Sequence, residues 1–389
     1  MTNRTRFVVL LVTAPILAYT LVGGFLSRVV AREDTYRHLR IFEDVVSLVT
    51  DNYVEEVEAG RIMEGALWGL AEGLDPESAY LTPDEVNEYE AGKASGEVGV
   101  GLVLTRQYYI QIVAARDGSP AAEAGLLPGD YIRAIDEKPT RMMSTVRARR
   151  LLYGTPGSTV RISVIRNNAA EPVELELERS SSQTASVTSR VVTPGVGYLR
   201  VAEFDGTTTA AIAAAAGTLA QQGTEHLLVD LRETAGGAFV NGLEAARLFT
   251  DADTLVIRES LDNQDPVTGP DQEPSIDWPV VLITNPGTAG AAELFAAALT
   301  DAGRADTVGL RTAGSAAEQV LVRLPGGGGL LLSTTRYLTA SGEPIHRRGV
   351  EPEVVVPERA VELGQPVADP DEDPTLDRAL DHLTTVVPA

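Results

Sequence analysis

Apolar strand-like runs alternate with helical runs from Val187 to about Val356, and few folds accommodate this alternation. The expected strands are "GVGYLRVAEF", "HLLVDLR" and "VVLITN", and the expected helices are "TTTAAIAAAAGTLAQQG", "FVNGLEAARLFT" and "AAELFAAALTDAG". Short strands that alternate with helices indicate an α/β layered unit with a largely parallel sheet. Ligands of such sheets bind beyond the carboxyl ends of the strands. Two of these ends carry "DLRETAGG" and "NPGTAG", so the sequence predicts a site there.

The composition of the chain excludes several functions. The formal net charge is −23, and the residues from Glu33 onward include 55 acidic side chains against 28 basic ones. Such a surface repels phosphate backbones, so we expect no nucleic acid as a partner. The chain has no Cys, which removes disulfides and thiolate ligands, and its four His show no spacing typical of a metal site. We therefore expect no metal and no cofactor.

Residues Phe7 to Leu26 form an uncharged apolar run that is long enough to cross a bilayer as a helix. We assign residues 1–32 to an N-terminal membrane anchor. Arginines in front of the run favour a cytoplasmic N-terminus, although arginines behind it weaken the asymmetry. The alternative is a cleaved signal peptide, since Val29 and Ala31 loosely fit a cleavage site. We expect the body on the extracytoplasmic (periplasmic) side of the membrane, or secreted if the segment is cleaved.

Helical periodicity marks both the segment after the anchor and the end of the chain. Apolar residues recur at helical spacing over much of residues 33–95, which predicts a helical lead-in, and "GLDPESAYLTPDEV" interrupts it with Pro and Asp turns. Residues 361–389 combine an acidic linker with a short capped helix, "DPTLDRALDHL". We expect this last helix to dock on the rest of the protein.

Residues 96–182 change to strand periodicity and resemble a PDZ domain. The specific part is "SPAAEAGLLPGDYIRAID", in which a small helix and a Pro-Gly-Asp turn lead into a strand. The resemblance implies an open strand edge beside a helix, where an extended peptide adds as a strand and backbone amides receive its C-terminal carboxylate. Val100, Gly101 and Leu102 would line that carboxylate-binding loop. A β-rich domain that only packs on its neighbour is the alternative.

Five segments resemble, in order, the carboxyl-terminal processing proteases, also called tail-specific proteases. They are "LDPESAYLTPDE", the PDZ segment, "LLVDLRETAGG", "VVLITNPGTAGAAELFAAALTDAGRADTVG" and "DPTLDRALDHL". The resemblance covers nearly the full length. It implies an anchored or secreted enzyme with a PDZ domain inserted before an α/β layered, ClpP/crotonase-like protease core, here residues 183–360. Such enzymes cut proteins near exposed C-termini with a Ser-Lys dyad.

The same resemblance identifies the dyad positions, and neither holds its catalytic residue. The family's GSASASE stretch corresponds to "GTAGAAE", which puts Gly290 at the nucleophile position. The general-base Lys corresponds to Ser315, and the separation of 25 residues is that of the family. Gln319 matches a family Gln that helps to orient the Lys. A Ser hydroxyl needs a neighbouring base, and a Lys serves as one only when burial lowers its pKa, so both groups are required.

No displaced Lys can act within the core, because the only two lysines, Lys93 and Lys138, precede it. The scaffold of an oxyanion hole is retained. Gly236 and Gly237 match the family's Gly pair, whose backbone amide, together with that of Ala291, would stabilise a developing oxyanion. Glycines also serve tight strand-to-helix turns, so their retention does not establish activity.

Thr288 and Ser315 are the remaining candidate nucleophiles. Thr288 comes just before a helix, where a hydroxyl ordinarily caps an orphan amide. Ser315 would need a base beside it, and otherwise it fills the place of a lost Lys with a small polar group. His226 and His346 belong to no catalytic motif, and acids such as Glu293 are expected on solvated helix faces.

The sequence thus predicts an exported, membrane-tethered relative of the tail-specific proteases that has lost its dyad. Its expected partners are protein or peptide C-termini, an active paralogue, or a second copy of the chain bound through the helical lead-in. An active serine-type endopeptidase that uses Ser315 or Thr288 is the alternative. A structural envelope protein that binds no ligand is a third hypothesis.

Overall fold

The computed structural model describes residues 39–92, 96–167, 169–181, 184–270, 272–358, 361–363 and 372–386. It divides into two compact units, Met1–Gly69 and Leu70–Ala389. Residues 39–52 of the first unit are helical (α1), and helix α2 spans Ala59–Glu72, of which residues 59–69 belong to that unit. The predicted membrane helix over residues 7–26 lies outside the described residues. Within them, no helix is both long and apolar enough to cross a bilayer.

The PDZ-like segment forms one antiparallel sheet with the strand order β2-β3-β4-β6-β7, and β5 pairs with β4. The strands are β2 (Leu102–Gln107), β3 (Tyr109–Ala115), β4 (Tyr131–Ile135), β5 (Lys138–Pro139), β6 (Thr159–Ile165) and β7 (Val173–Glu178), and the helices are α4 (Pro120–Glu123) and α5 (Thr145–Leu152). The apolar side chains of these elements enclose a core of their own. Strand β2 is at the edge of the sheet and lies beside α5.

Six strands form the central sheet of the core, in the order β17-β14-β13-β10-β9-β8. They are β8 (Val187–Thr193), β9 (Val196–Val201), β10 (His226–Asp230), β13 (Val280–Thr284), β14 (Ala305–Gly309) and β17 (Val354–Val355). All neighbours are parallel except β8 and β9. The sheet confirms the predicted α/β class, and the buried runs "LLVD" and "VVLIT" are its central strands.

Helices cover both faces of this sheet. On one face lie α6 (Thr208–Gln221), α7 (Phe239–Ala246) and α8 (Ala291–Asp301), and on the other lies α9 (Pro374–Val386). The docking expected of the last helix is therefore observed. Every residue from 291 to 299 in α8 is buried, because the helix is apolar nearly all round and is enclosed by other elements.

A second sheet packs on the far side of α8, and the sequence analysis did not predict it. Its strands are β1 (Ala79–Leu81), β11 (Thr254–Ser260), β12 (Gln264–Thr268), β15 (Ala317–Arg323) and β16 (Gly329–Thr339). The order is β1-β16-β11-β12, with β15 also paired to β16. The pairing of Ala79 with Leu331 brings the "LDPESAYL" segment, followed by helix α3 (Pro83–Ala91), against the core.

Candidate functional site

The turn between β13 and α8 holds the position predicted for the nucleophile. Gly290 is the N-cap of α8, with φ 65° and ψ −118°, a left-handed conformation that favours glycine. A Cβ added here would lie 3.8 Å from the Phe239 ring and 3.9 Å from the carbonyl oxygen of Ser315. The turn therefore has space for a side chain. A sharp, strained strand-to-helix turn is also how α/β-hydrolases expose a Ser, and here the turn is present without the hydroxyl.

Glu293 joins this turn to the loop that contains Ser315. Its fully buried carboxylate accepts hydrogen bonds from four donors: the backbone N–H groups of Gly290 (3.1 Å), Gly314 (2.6 Å) and Ser315 (2.7 Å), and the hydroxyl of Thr312 (2.5 Å). Burial raises the pKa of Glu293, and the four hydrogen bonds, which favour the charged form, oppose that rise. The expectation of a solvated Glu293 is wrong, because α8 is enclosed on all sides. Its carboxylate holds the two predicted dyad positions in one arrangement.

Glu77 occupies the predicted base position together with Ser315, although 238 residues separate the two in sequence. The Ser315 hydroxyl donates a short hydrogen bond to one oxygen of the Glu77 carboxylate, and the side-chain amide of Gln319 donates to the other at 3.0 Å. His346 Nδ1 lies 3.8 Å from Glu77 Oε2. Glu77 was not predicted, since nothing in "LDPESAYL" signals so distant a contact.

Burial controls the protonation of this group. It raises the pKa of Glu77 to about 7, and the negative charges of Asp75 and Glu293 add to the rise, while the hydrogen bonds that Glu77 accepts oppose it. Burial lowers the pKa of His346. The site therefore places a carboxyl group with a pKa of about 7 beside an imidazole whose charged form is disfavoured by burial.

The Glu77→Gln substitution is expected to change how stability depends on pH. Because the folded-state pKa of Glu77 is raised from 4.5 to about 7, ionising it opposes folding, and its contribution to stability falls as the pH rises between these values. The full loss is at most about 3 kcal/mol. The free energy of unfolding of the Gln variant should therefore rise relative to that of wild type as the pH increases through this range. Urea unfolding of both proteins at several pH values measures the difference.

The matched control for this substitution is Glu225→Gln, which removes the same charge from an exposed position at the edge of the core. It should follow the wild-type pH profile. A Glu77→Gln profile that also follows wild type would show that Glu77 ionises in the folded protein as it does in the unfolded chain.

The other candidate nucleophile, Thr288, is fully buried. Its hydroxyl donates to the carbonyl oxygen of Leu231 at 2.7 Å and accepts from the N–H of Asn285 at 3.1 Å. The expected role as a helix cap is wrong, because the N-cap of α8 is Gly290, two residues further along the chain, and the N–H of Gly290 bonds Glu293. Thr288 instead closes the turn. His226 begins β10, at the end of that strand opposite the site.

The structure brings the three residues predicted for an oxyanion hole to the same region. Gly236 and Gly237 follow β10 and line the same cleft as Gly290. A Cβ on Gly237, which has φ 83°, would lie 1.9 Å from the carbonyl oxygen of Phe204, so this position excludes a side chain. Ala291 is the first residue of α8, where the N–H has no partner within the helix. Their role in stabilising an oxyanion stays a prediction.

The site opens into a cleft of about 990 Å³ whose second wall belongs to the PDZ-like segment. That wall consists of residues 103–105 of the edge strand β2 and of Thr145, Val146 and Arg149 of α5. One continuous cleft thus joins the groove between β2 and α5 to the turn at Gly290. The edge strand β2 and the two predicted dyad positions, Gly290 and Ser315, therefore line the same cleft.

Val100, Gly101 and Leu102 lie at the entry to β2. Gly101 has φ 84°, and a Cβ on it would lie 2.1 Å from Cβ of Ser119, so the loop packs tightly on the start of α4. The carbonyl oxygens of Val100 and Gly101 accept hydrogen bonds from backbone N–H groups of the same domain. Carboxylate binding by this loop stays a prediction.

Ion pairs hold the PDZ-like segment against the core. The Asp117 carboxylate receives two hydrogen bonds from Arg200, at 2.8 and 3.0 Å, and Arg116 lies 3.0 Å from Glu203. A small apolar cluster from both sides fills the contact and consists of Val103, Val113, Ala114, Ala235 and Ala289. The two walls of the cleft are therefore held at a defined spacing.

The fold and the site together define a PDZ-containing protein with the layered core and strand-to-helix turn of a serine peptidase. A model of Peptidase family S41 matches residues 195–356, and a model of the PDZ domain matches residues 111–179. The carboxyl-terminal-processing protease of Synechocystis sp. is 30% identical over 317 residues, which are 80% of this chain and 74% of that protein. The chain belongs to the family of carboxyl-terminal processing proteases.

Two further comparisons agree with this assignment. The carboxy-terminal processing protease CtpA of Bacillus subtilis is 27% identical over 309 residues, which are 79% of this chain and 66% of that protein. The solved structure of a photosystem II D1 C-terminal processing protease is 28% identical with a TM-score of 0.67, and the match covers 81% of this chain and 92% of that one. Both resemblances drawn from the sequence, to the protease family and to the PDZ domain, are confirmed.

Proposed function

We propose that this protein binds the C-terminal segments of unfolded polypeptides in its cleft and does not cut them. The observation that supports this most directly is Gly290. The turn that should present a nucleophile retains its strained shape and open space, but it has no side chain. The neighbouring base position holds the Ser315 hydroxyl, which is already bonded to a carboxylate.

The chemistry of acyl transfer supports the same conclusion. A serine peptidase needs an alcohol at the turn and a base that is unprotonated at neutral pH. The core from residue 187 onward contains no Lys, and Arg stays protonated in proteins. The cleft can therefore hold a polypeptide beside backbone amides but has no Ser-Lys pair to attack it.

A second function, cleavage with Ser315 as the nucleophile, is favoured by one observation. Its hydroxyl donates to Glu77, a carboxyl group with a pKa of about 7 that is suited to accept a proton near neutral pH. The buried hydroxyl of Thr288 bonds a backbone carbonyl and not a carboxylate, and Thr288 is not among the residues that line this cleft. Turnover of an unfolded protein by the wild-type chain, with loss of turnover in Ser315→Ala, would establish this second function and overturn the first.

Binding itself is tested by filling the groove. Thr145→Trp puts a large side chain between α5 and β2, and crowding of this kind should weaken binding of an unstructured tail about tenfold or more. The measurement is fluorescence anisotropy of a labelled polypeptide tail with a free C-terminal carboxylate, compared with the same tail amidated. We expect the free carboxylate to bind more tightly.

The control is Lys138→Trp, which adds the same side chain at an exposed position on β5, away from the cleft. It should bind the tail as wild type does. Equal binding by Thr145→Trp and Lys138→Trp would place the tail outside this groove.

The proposal includes tethering of the protein to a membrane by residues 7–26, with the body on the extracytoplasmic side. It rests on the length and lack of charge of that run. We expect detergent to extract the full chain from membranes and alkaline carbonate to leave it in them.

A further inference from the structure

The Glu77 carboxylate is a buried anion beside other anions at one end of the cleft. Its side chain is 16% exposed, and Asp75 and Glu293 contribute negative charge around it. Among the described residues, the only basic group recorded as its ion-pair partner is His346, at 3.8 Å. Ser315 and Gln319 donate hydrogen bonds to this carboxylate, but among the described residues no Arg or Lys forms an ion pair that would neutralise its charge.

His346 provides an independent sign that a group is accommodated here. Its side chain is 8% exposed, and its buried Nδ1 has no hydrogen-bond partner among the described residues. The distance of 3.8 Å to Glu77 Oε2 is too long for a direct hydrogen bond. Buried polar atoms in native proteins are almost always bonded, and with Nδ1 as the unprotonated nitrogen of the neutral ring, a donor between it and the carboxylate would satisfy both.

We infer that this end of the cleft binds the ammonium group of a Lys side chain on a polypeptide held in the cleft. Glu77 Oε2 and His346 Nδ1 are 3.8 Å apart, so one ammonium nitrogen can bond both atoms once the side chains around the buried Nδ1 shift to admit it. The inference rests on the proposed function, because the polypeptide delivers the amine.

The ligand's three N–H donors match three acceptors at this place. They are Glu77 Oε2, the neutral His346 imidazole and the free lone pairs of the Ser315 hydroxyl, whose proton is directed at the other oxygen of Glu77. A compact ammonium suits acceptors grouped around one point, whereas the planar guanidinium of Arg suits acceptors aligned in a fork. Glu77 and Ser315 both line the cleft, so the amine can reach them from the bound chain.

The test uses two matched sets of unstructured polypeptide tails. In one set a single Lys is moved along the tail one residue at a time, and in the other norleucine takes each place, which retains the apolar length and removes the amine. Wild type should bind the best-placed Lys tail about tenfold more tightly than its norleucine match. Glu77→Gln should remove that preference, so that the Lys tail and its norleucine match bind this variant with equal affinity.

Two further variants keep the result interpretable. Ser315→Lys places an amine of the protein's own against Glu77, and it should abolish the preference even if Glu77→Gln folds poorly. Glu225→Gln removes an exposed acid elsewhere and should retain the preference, which separates a site from general attraction to an acidic protein.

The outcomes separate this inference from the proposed function. If Lys and norleucine tails bind equally at every position, the amine site is wrong and tail binding stands. If no tail binds, both are wrong. A Lys preference that survives both Glu77→Gln and Ser315→Lys also overturns the site, because the amine then binds elsewhere.

Discussion

Cleavage of an unfolded polypeptide is expected from the triple substitution Gly290→Ser, Ser315→Lys and Glu77→Gln. The first two changes restore an alcohol at the strand-to-helix turn and an amine at the base position. With Glu77 in place, however, the new amine would lie against a carboxylate that now contacts Ser315, and an opposite charge holds an amine protonated. The double variant without Glu77→Gln should therefore be about ten to a thousand times slower than the triple variant.

The measurement is release of peptides from an unfolded protein, with Gly290→Ala, Ser315→Lys and Glu77→Gln as the matched control. Like Ser, Ala at residue 290 must adopt a positive φ, but it has no hydroxyl. The control should therefore be inactive. Because φ at this residue is 65°, either side chain should cost about 1–3 kcal/mol of stability, which urea unfolding would record. A double variant as fast as the triple one would contradict the role assigned to Glu77.

Loss of the Glu293 carboxylate should cause the largest loss of stability that we predict. The Glu293→Ala substitution leaves three backbone N–H groups and one hydroxyl without their acceptor, and it opens a cavity beside a fully buried helix. Each unsatisfied buried donor costs about 1–3 kcal/mol, so the free energy of unfolding should fall by at least about 3 kcal/mol. The measured quantity is the denaturant midpoint with its slope.

Glu244→Ala serves as the control, since Glu244 is on the neighbouring helix α7 with a side chain that is 53% exposed. Its loss should change stability by no more than about 0.5 kcal/mol. Tail binding should weaken in Glu293→Ala even below its unfolding transition, because the turn at Gly290 and the loop at Ser315 lose their common acceptor. Unchanged stability in Glu293→Ala would mean that water replaces the carboxylate at little cost.

Much of the candidate site was predictable because it is built from strand ends. Gly236, Gly237, Gly290 and Ala291 each follow a buried parallel strand at a short distance, and parallel strands bring their carboxyl ends to one edge of a sheet. The hydrophobic pattern identifies such strands, so the grouping follows from local sequence. Ser315 and Gln319 were placed by the family resemblance, and the structure sets them beside this edge.

Other parts of the site could not be found by local reasoning. Glu77 reaches Ser315 only because β1 pairs with β16, a contact between opposite ends of the larger unit. Glu293 has the sequence neighbourhood of an ordinary helix acid, and it is buried because a second sheet closes over α8. The position of Thr288 just before a helix suggests a cap, but the chain makes one further turn before the helix begins.

The residues alone show that the chain from residue 187 onward contains no Lys, since this is a matter of composition. Apolar periodicity also indicates the α/β class, because it follows which faces are buried, and the resemblance of residues 96–182 to a PDZ domain indicates the second domain. The protonation of Glu77, the enclosure of Glu293 and the single cleft shared by two domains appear only after folding. Each of these features depends on how deeply a group is buried in the folded protein. That burial is set by segments that lie far apart in the chain.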